Sequence, residues 1–357
     1  MVFPEDSAPY VQYAWFHTAR GDHREAMEQA DKALSLNPTS LFTIRAAAGV
    51  HLRSGSFDRA IEILEEAMAQ EPAFARIAYS MLGEINLRRK QFDRAIAHHR
   101  KAIDIDPLDS ESYINLAWTY WSLREWEQAS DAFKKVVELD PENGGALQVL
   151  GCLLGILGQK ERERECYLRA AELAPVQSIE LGLWHLNYGD YEQAVSGLVQ
   201  AENDSPNYVN TSFYLFAARF LSGDFPEAEQ SLSEWLKRLN YEDRAALRAR
   251  AIPDGTVDRL SLIGYIRLIL ERFEKEERPI ANSYEARIPA TLYCLSGDLE
   301  SAMETLEYAY ETFETDSYWL PWYIRFSHFK PLHSDPRFGA LIKKLKLDPY
   351  FRIRVGE

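Results

Sequence analysis

The sequence predicts an all-α solenoid of helix–turn–helix repeats, and three observations predict it. Prolines close apparent helices at Pro38, Pro72, Pro107, Pro141, Pro175 and Pro206, at intervals of 34, 35, 34, 34 and 31 residues. Small residues mark the second turn of the helix before or between them: Ala26, Ala60, Ala95, Ala129, Ala194, Ala228 and Ala302. Glycines stand just ahead of such helices at Gly21, Gly55, Gly158, Gly189, Gly223 and Gly297. A fixed period near 34 is that of a helix–turn–helix array.

Each mark has a physical reason. A tight turn between antiparallel helices often needs φ > 0, which glycine adopts without a steric penalty. Lys90 and Arg124 occupy that place in two units, so there the turn is built differently or carries strain. Alanine lets two helix backbones approach, and proline cannot continue the helix before it. The units fall at 7–40, 41–74, 76–109, 110–143, 144–175, 176–208, 209–242 and 283–316. The fifth departs with Glu163 where its siblings carry alanine, and the sixth has a shortened first helix.

This pattern resembles the tetratricopeptide repeat family. One unit carries Tyr79, Leu82, Gly83, Phe92, Ala95, Ala102 and Pro107; the next carries Tyr113, Leu116, Ala117, Tyr120, Trp126, Ala129, Phe133 and Pro141. The resemblance implies a right-handed superhelical solenoid whose first helices line a concave face. The domain reading is therefore seven such repeats over 7–242, an irregular helical segment over 243–282, an eighth repeat over 283–316 and a C-terminal capping region over 317–357.

Within 243–282, IPDGT at 252–256 is a loop, and Val257 to Lys275 is a long amphipathic helix striped by Leu260, Ile263, Ile266, Ile269, Leu270 and Phe273. It reads as a degenerate repeat stacked on the array rather than a hinge or dimerisation element. Further on, Asp335 suits an N-cap and Pro336 the first helical position. Lys343, Lys344 and Lys346 suit the negative end of the dipole. Phe338, Leu341, Ile342 and Leu345 would pack this helix on the last repeat, its lysines facing water. The other end of the array lies within six residues of Met1 and has no capping helix. That predicts either a fragment or an end covered by something else.

Composition excludes several functions. A net charge of −15 argues against direct nucleic-acid binding, which needs a basic face. The most apolar run, Ala146 to Leu157, is too short to span a bilayer, and no signal peptide precedes the array, so a cytoplasmic location is expected (periplasmic for a piece of a membrane-anchored regulator). Cys152, Cys166 and Cys294 have no metal-ligand spacing and read as buried small residues. His98 and His99 sit one residue apart on what reads as a surface helix, which is wrong for a metal pair. No P-loop, GxSxG, HExxH or CxxC is present. The expectation is no enzyme, no cofactor and no metal.

Function then falls to the concave face. Its inward places hold Trp15, Arg45, Arg53, Glu84, Arg88, Trp118, Trp121 and Gln148. Aromatic and arginine side chains dominate binding hot spots. Arg45, Arg53 and Arg88 would form a basic strip suited to an acidic segment of a protein or peptide partner, flanked by Trp15 and Trp118. Co-chaperone members of the family grip a terminal carboxylate with lysine, asparagine and arginine; here the matching places hold Ile77, Met81, Glu111 and Val149, which predicts no such grip. The opening APYVQYAWFHTARGDHREAMEQADKALSLNP and the ending FKPLHSDPRFGALIKKLKLDP also resemble the repeat halves of bacterial signalling proteins. The leading expectation is a protein-interaction scaffold. The alternative is the sensing half of a larger regulator, cyclase or kinase.

Overall fold

The computed structural model describes residues 6–173, 178–206, 208–275, 283–312 and 319–350. Pro175, the 276–282 end of the irregular segment, the 313–316 end of the eighth unit and residues 351–357 lie outside the described residues. Among the described residues no strand occurs, and helical hairpins follow one another along the chain. The chain divides into two compact units: residues 1–123 with 138–140, and residues 124–137 with 141–357.

The first unit holds α1 (Ala8–Arg20), α2 (His23–Leu36), α3 (Leu41–Arg53), α4 (Phe57–Gln70), α5 (Ala75–Arg88), α6 (Phe92–Ile105) and α7 (Ser110–Ser122). The turns inside its hairpins are built alike. Gly21 and Gly55 have φ of 78°, and Lys90 in the equivalent place is left-handed at 57°. The backbone N–H of the residue after the left-handed one reaches back to an uncapped carbonyl: Asp22 to His17, Ser56 to His51 and Gln91 to Asn86. Lys90 therefore carries the strain that glycine avoids in its siblings.

Helix crossings are close where the alanines sit. Ala26, Ala60 and Ala95 are fully buried. A Cβ added to Gly83 in α5 would lie 2.3 Å from Cε1 of His99 in α6. His99 thus fills the crossing and is 1% exposed, which corrects its reading as a surface residue. His98 is half-buried, with Nδ1 3.1 Å from Nδ2 of Asn86.

The second unit holds most of α8 (Trp126–Leu139), then α9 (Gly144–Ile156), α10 (Lys160–Leu173), α11 (Ser178–Tyr188), α12 (Tyr191–Asp204), α13 (Asn210–Ser222) and α14 (Phe225–Arg238). Two helices, α15 (Arg244–Ala251) and α16 (Arg259–Lys275), fall in the irregular interval and pack on each other. The buried stripe of α16 is Leu262, Tyr265, Ile266, Ile269 and Leu270. Leu260, assigned to that stripe from sequence, is 77% exposed because it lies in the first turn, ahead of the packed face. Next come α17 (Ser283–Ser296), α18 (Leu299–Thr312), α19 (Leu320–Tyr323), a 3₁₀ stretch (Ser327–Ser334) and α20 (Pro336–Lys344).

The run from Leu320 to Leu347 is more than a cap on the last repeat. Leu320, Trp322, Tyr323, Ile324, Phe326, Phe329 and Leu332 are all buried. They lie against α9, α11 and α17, each the first helix of its hairpin. Ser327 Oγ donates to the Leu186 carbonyl at 2.6 Å, and Thr291 Oγ1 lies 2.9 Å from His328 Nε2. Asp335 caps α20, accepting from the Arg337 N–H at 2.8 Å. Helix α20 packs on α18, yet the residues after it reach far upstream: Trp126 Nε1 donates to the carbonyls of Leu345 and Lys346 at 3.3 and 3.2 Å.

This arrangement explains Glu163. It is 1% exposed, and its Oε2 accepts from Tyr188 Oη at 2.8 Å and from Arg325 Nη2 at 3.5 Å. A Cβ on Gly155 would come within 2.2 Å of the Glu163 carboxylate and 2.4 Å of Arg325 Nη1, so the glycine makes room for the pair. Burial pushes the Glu163 carboxyl up, opposed by the Arg325 charge. The departure from alanine is a partner for the C-terminal run.

Candidate functional site

A groove of about 220 Å³ opens in the first unit along α1, α3, α5 and α7. Helix α1 supplies Trp15, α3 supplies Arg45, Gly49, Leu52 and Arg53, and α5 supplies Arg76, Ile77, Ser80, Met81 and Glu84. Helix α7 closes the row with Glu111 and Asn115. Four-residue spacing places them there: Arg45, Gly49 and Arg53 share one face of α3, as Arg76, Ser80 and Glu84 share one of α5.

The row is braced from within. A Cβ on Gly49 would meet the Trp15 ring at 3.1 Å, so the bare backbone lets the indole lie down on α3. The Arg53 guanidinium stands 5.3 Å from the Trp15 ring centroid, a stacking worth roughly 0.5–1 kcal/mol at an exposed site. Arg76 Nη1 pairs with Asp109 Oδ2 at 2.8 Å, and Asp109 also caps α7 through the Ser112 N–H. Asn115 Nδ2 donates to Ser80 Oγ at 2.9 Å. Arg45 and Arg53 are exposed, and neither has an ion-pair carboxylate among the described residues.

Of the eight side chains read from sequence, four line this groove: Trp15, Arg45, Arg53 and Glu84. Arg88 follows Glu84 by one helical turn and pairs with it at 3.1 Å, outside the groove lining. Trp118 is half-buried, its ring 5.3 Å from that of Trp121. Trp121 is 1% exposed and belongs to the core; its indole packs inward from the end of α7, so it offers nothing to a partner. Gln148 lies in the second unit, where its amide hydrogen-bonds Glu180. Glu84, the one acid among those eight, is joined in the lining by a second, Glu111. Sequence reasoning missed Arg76, Ser80 and Asn115; continuing the four-residue spacing of α3 onto α5 and α7 would have found them. Ile77, Met81 and Glu111, read as the places of a carboxylate grip, do lie in the groove.

No group of three or more potential metal ligands occurs among the described residues, and none of their helices is long and apolar enough to cross a membrane. All three cysteines are free, two of them buried.

Sequence models of the tetratricopeptide repeat match residues 17–85, 74–142 and 145–177. Among curated proteins, Superkiller complex protein 3 of Mus musculus is 25% identical over 225 residues, covering 50% of this chain and 14% of its own length. The BBSome complex member BBS4 homolog of Drosophila melanogaster is 24% identical over 241 residues, covering 62% of this chain and 49% of its own length. The chain thus spans about half or less of these relatives. The solved structure of Pseudomonas aeruginosa PilF is 21% identical, with a TM-score of 0.44 over 58% of this chain and 96% of that one. The repeat models cover hairpins whose turns, alanine crossings and groove are described above, and the chain is a tetratricopeptide-repeat protein.

Proposed function

We propose that the chain is a scaffold that receives an extended segment of a protein partner in the groove of its first unit, with acidic side chains of that segment meeting Arg45 and Arg53. One observation carries the reading: two exposed arginines, without an ion-pair carboxylate among the described residues, stand in a groove beside a half-exposed tryptophan. Arginine can take a carboxylate through two parallel hydrogen bonds, and a flat aromatic gives contact area at little entropic cost. The first-helix face of the second unit supports the choice of groove, because α9, α11 and α17 already hold the chain's own Leu320–Leu332 run.

The test is selection of peptides from a random display library on the intact chain, followed by titration of the winners. Enrichment of Asp and Glu is expected, and Arg45→Glu with Arg53→Glu should weaken binding tenfold or more (about 1.4 kcal/mol), mainly through a faster off-rate. Helicity should not change, since both side chains are exposed, and melting should fall only by the small contribution of the Arg53–Trp15 stacking. Arg94→Glu serves as a control, being exposed on α6 and outside the groove lining. Selected peptides that bind the double variant as tightly as the parent would refute the assignment.

A further inference from the structure

A second cavity, of about 430 Å³, lies within the second unit, apart from the groove just described. It is bounded by the end of α9, the start of α10, the end of α11 and the C-terminal run. Its charged lining residues are Lys160, Arg325 and Lys330, all basic, in a chain with 55 acidic residues against 40 basic ones. The groove of the first unit, by contrast, mixes both signs.

The three cations are held in different ways. Arg325 is fixed: its side chain is 10% exposed, it pairs with buried Glu163, its Nη2 lies 3.3 Å from Tyr188 Oη, and bare Gly155 leaves room for it. Lys160 is braced without being neutralised. Its Nζ stands 4.2 Å from the Tyr188 ring centroid and 5.1 Å from that of Trp184, with no ion-pair carboxylate among the described residues. Such a contact with ring faces leaves ammonium donors for another acceptor. Lys160 is also the first residue of α10, so the N–H groups of a 14-residue helix add positive potential at that end. Lys330 is exposed and likewise unpaired among the described residues. Glu163 offsets one of the three charges, leaving two. Tyr188, Ile156 and Leu347 give the cavity an apolar side. Its volume falls within the range of small-molecule sites, where mostly apolar walls carry a few polar groups.

We propose that this cavity binds a small organic anion, its carboxylate or phosphate met by Lys160 and Lys330 and its apolar body laid against Tyr188, Ile156 and Leu347. Nothing in this depends on the groove of the first unit. Because the site joins the α9–α10 hairpin to the C-terminal run, the bound anion stabilises the closure of the second unit.

The experiment titrates the full chain with phenyl phosphate and, separately, benzoate, by calorimetry, with ionic strength held constant by sodium chloride. Saturable binding of one or both is expected, accompanied by a change in tryptophan fluorescence from Trp184, and the stronger probe identifies the charged group preferred. Lys160→Met together with Lys330→Met should weaken it roughly tenfold or more, since the two changes remove the charged donors to the anion and leave its apolar contacts. Lys330 is exposed and Lys160 is half-buried against the rings of Tyr188 and Trp184; neither is a member of the buried Glu163–Arg325 pair. Lys134→Met and Lys237→Met should have no effect. The proposal is overturned if neither probe saturates below millimolar concentration, if phenol binds as well as phenyl phosphate, or if the double variant binds like the parent.

Discussion

His99 shows how much one position of a repeat is worth. It lies four residues after Ala95, and the residues four after the other crossing alanines include Leu64, Leu198, Leu232 and Leu306, all fully buried. The repeat thus asks for an apolar side chain, and here an imidazole occupies the crossing against Gly83. Burial lowers its pKa from 6.5 to about 4. A histidine depressed in the folded state stabilises fully above pH 6.5 and loses that contribution as pH falls towards 4. The loss by pH 4 is on the order of 3 kcal/mol. His99→Leu should therefore flatten the stability profile of the first unit between those limits, read by urea denaturation of both proteins at each pH. Parallel profiles would mean that His99 titrates in water. Burial was legible from the alanine register; the adjacency of His98 concealed it, because two neighbouring histidines look polar until the period is counted.

At the scale of the element, the C-terminal run is held by a polar bond in an apolar setting. Removing one partner of a buried ion pair strands the other charge, at about 3–5 kcal/mol. Arg325→Ala should lower stability by that order, and so should Glu163→Ala, although the latter restores the alanine of the sibling repeats. The double variant should cost less than the sum of the singles by roughly 1–3 kcal/mol. A double-mutant cycle in thermal denaturation checks this, and additive singles would show that the two groups are not coupled. Legibility differs here between elements. The hairpins, their turns and the cap of α20 could be read locally, since Asp335-Pro336 and the 34-residue rhythm act over a few residues. The reach of Leu320–Leu347 to α8, α9, α11 and α17 could not, because contacts between residues so far apart leave no period. Glu163 was the visible trace of it, an acid where a small residue belongs. For the groove, helix faces were legible, whereas the burial of Trp121 and the pairing of Arg88 with Glu84 depend on packing that spacing does not encode.

Taken whole, the molecule sets its long-range field against its groove. A net charge of −15 repels an acidic partner at a distance, whereas Arg45 and Arg53 attract it on contact. Salt screens the first over a Debye length of about 8 Å at physiological ionic strength and weakens the second as well. For an acidic groove ligand, raising the salt should speed association and also speed dissociation. Stopped-flow kinetics across a salt series would show this pair of trends; association that slows with salt would mean that steering is attractive and the partner is not acidic.

The bond from Trp126 to Leu345 and Lys346 also sets an order of events. Repeat arrays form mostly local contacts and can grow from one end as the chain is made. Here a side chain near residue 126 waits for a carbonyl more than two hundred residues later, and closing so large a loop is slow and comes late. During synthesis the hairpins of the first unit can settle while the second still shows open aromatic-binding faces on α9 and α11. Pulsed proteolysis of stalled nascent chains should find the first unit protected once residue 140 has emerged, and the second protected only after residue 346.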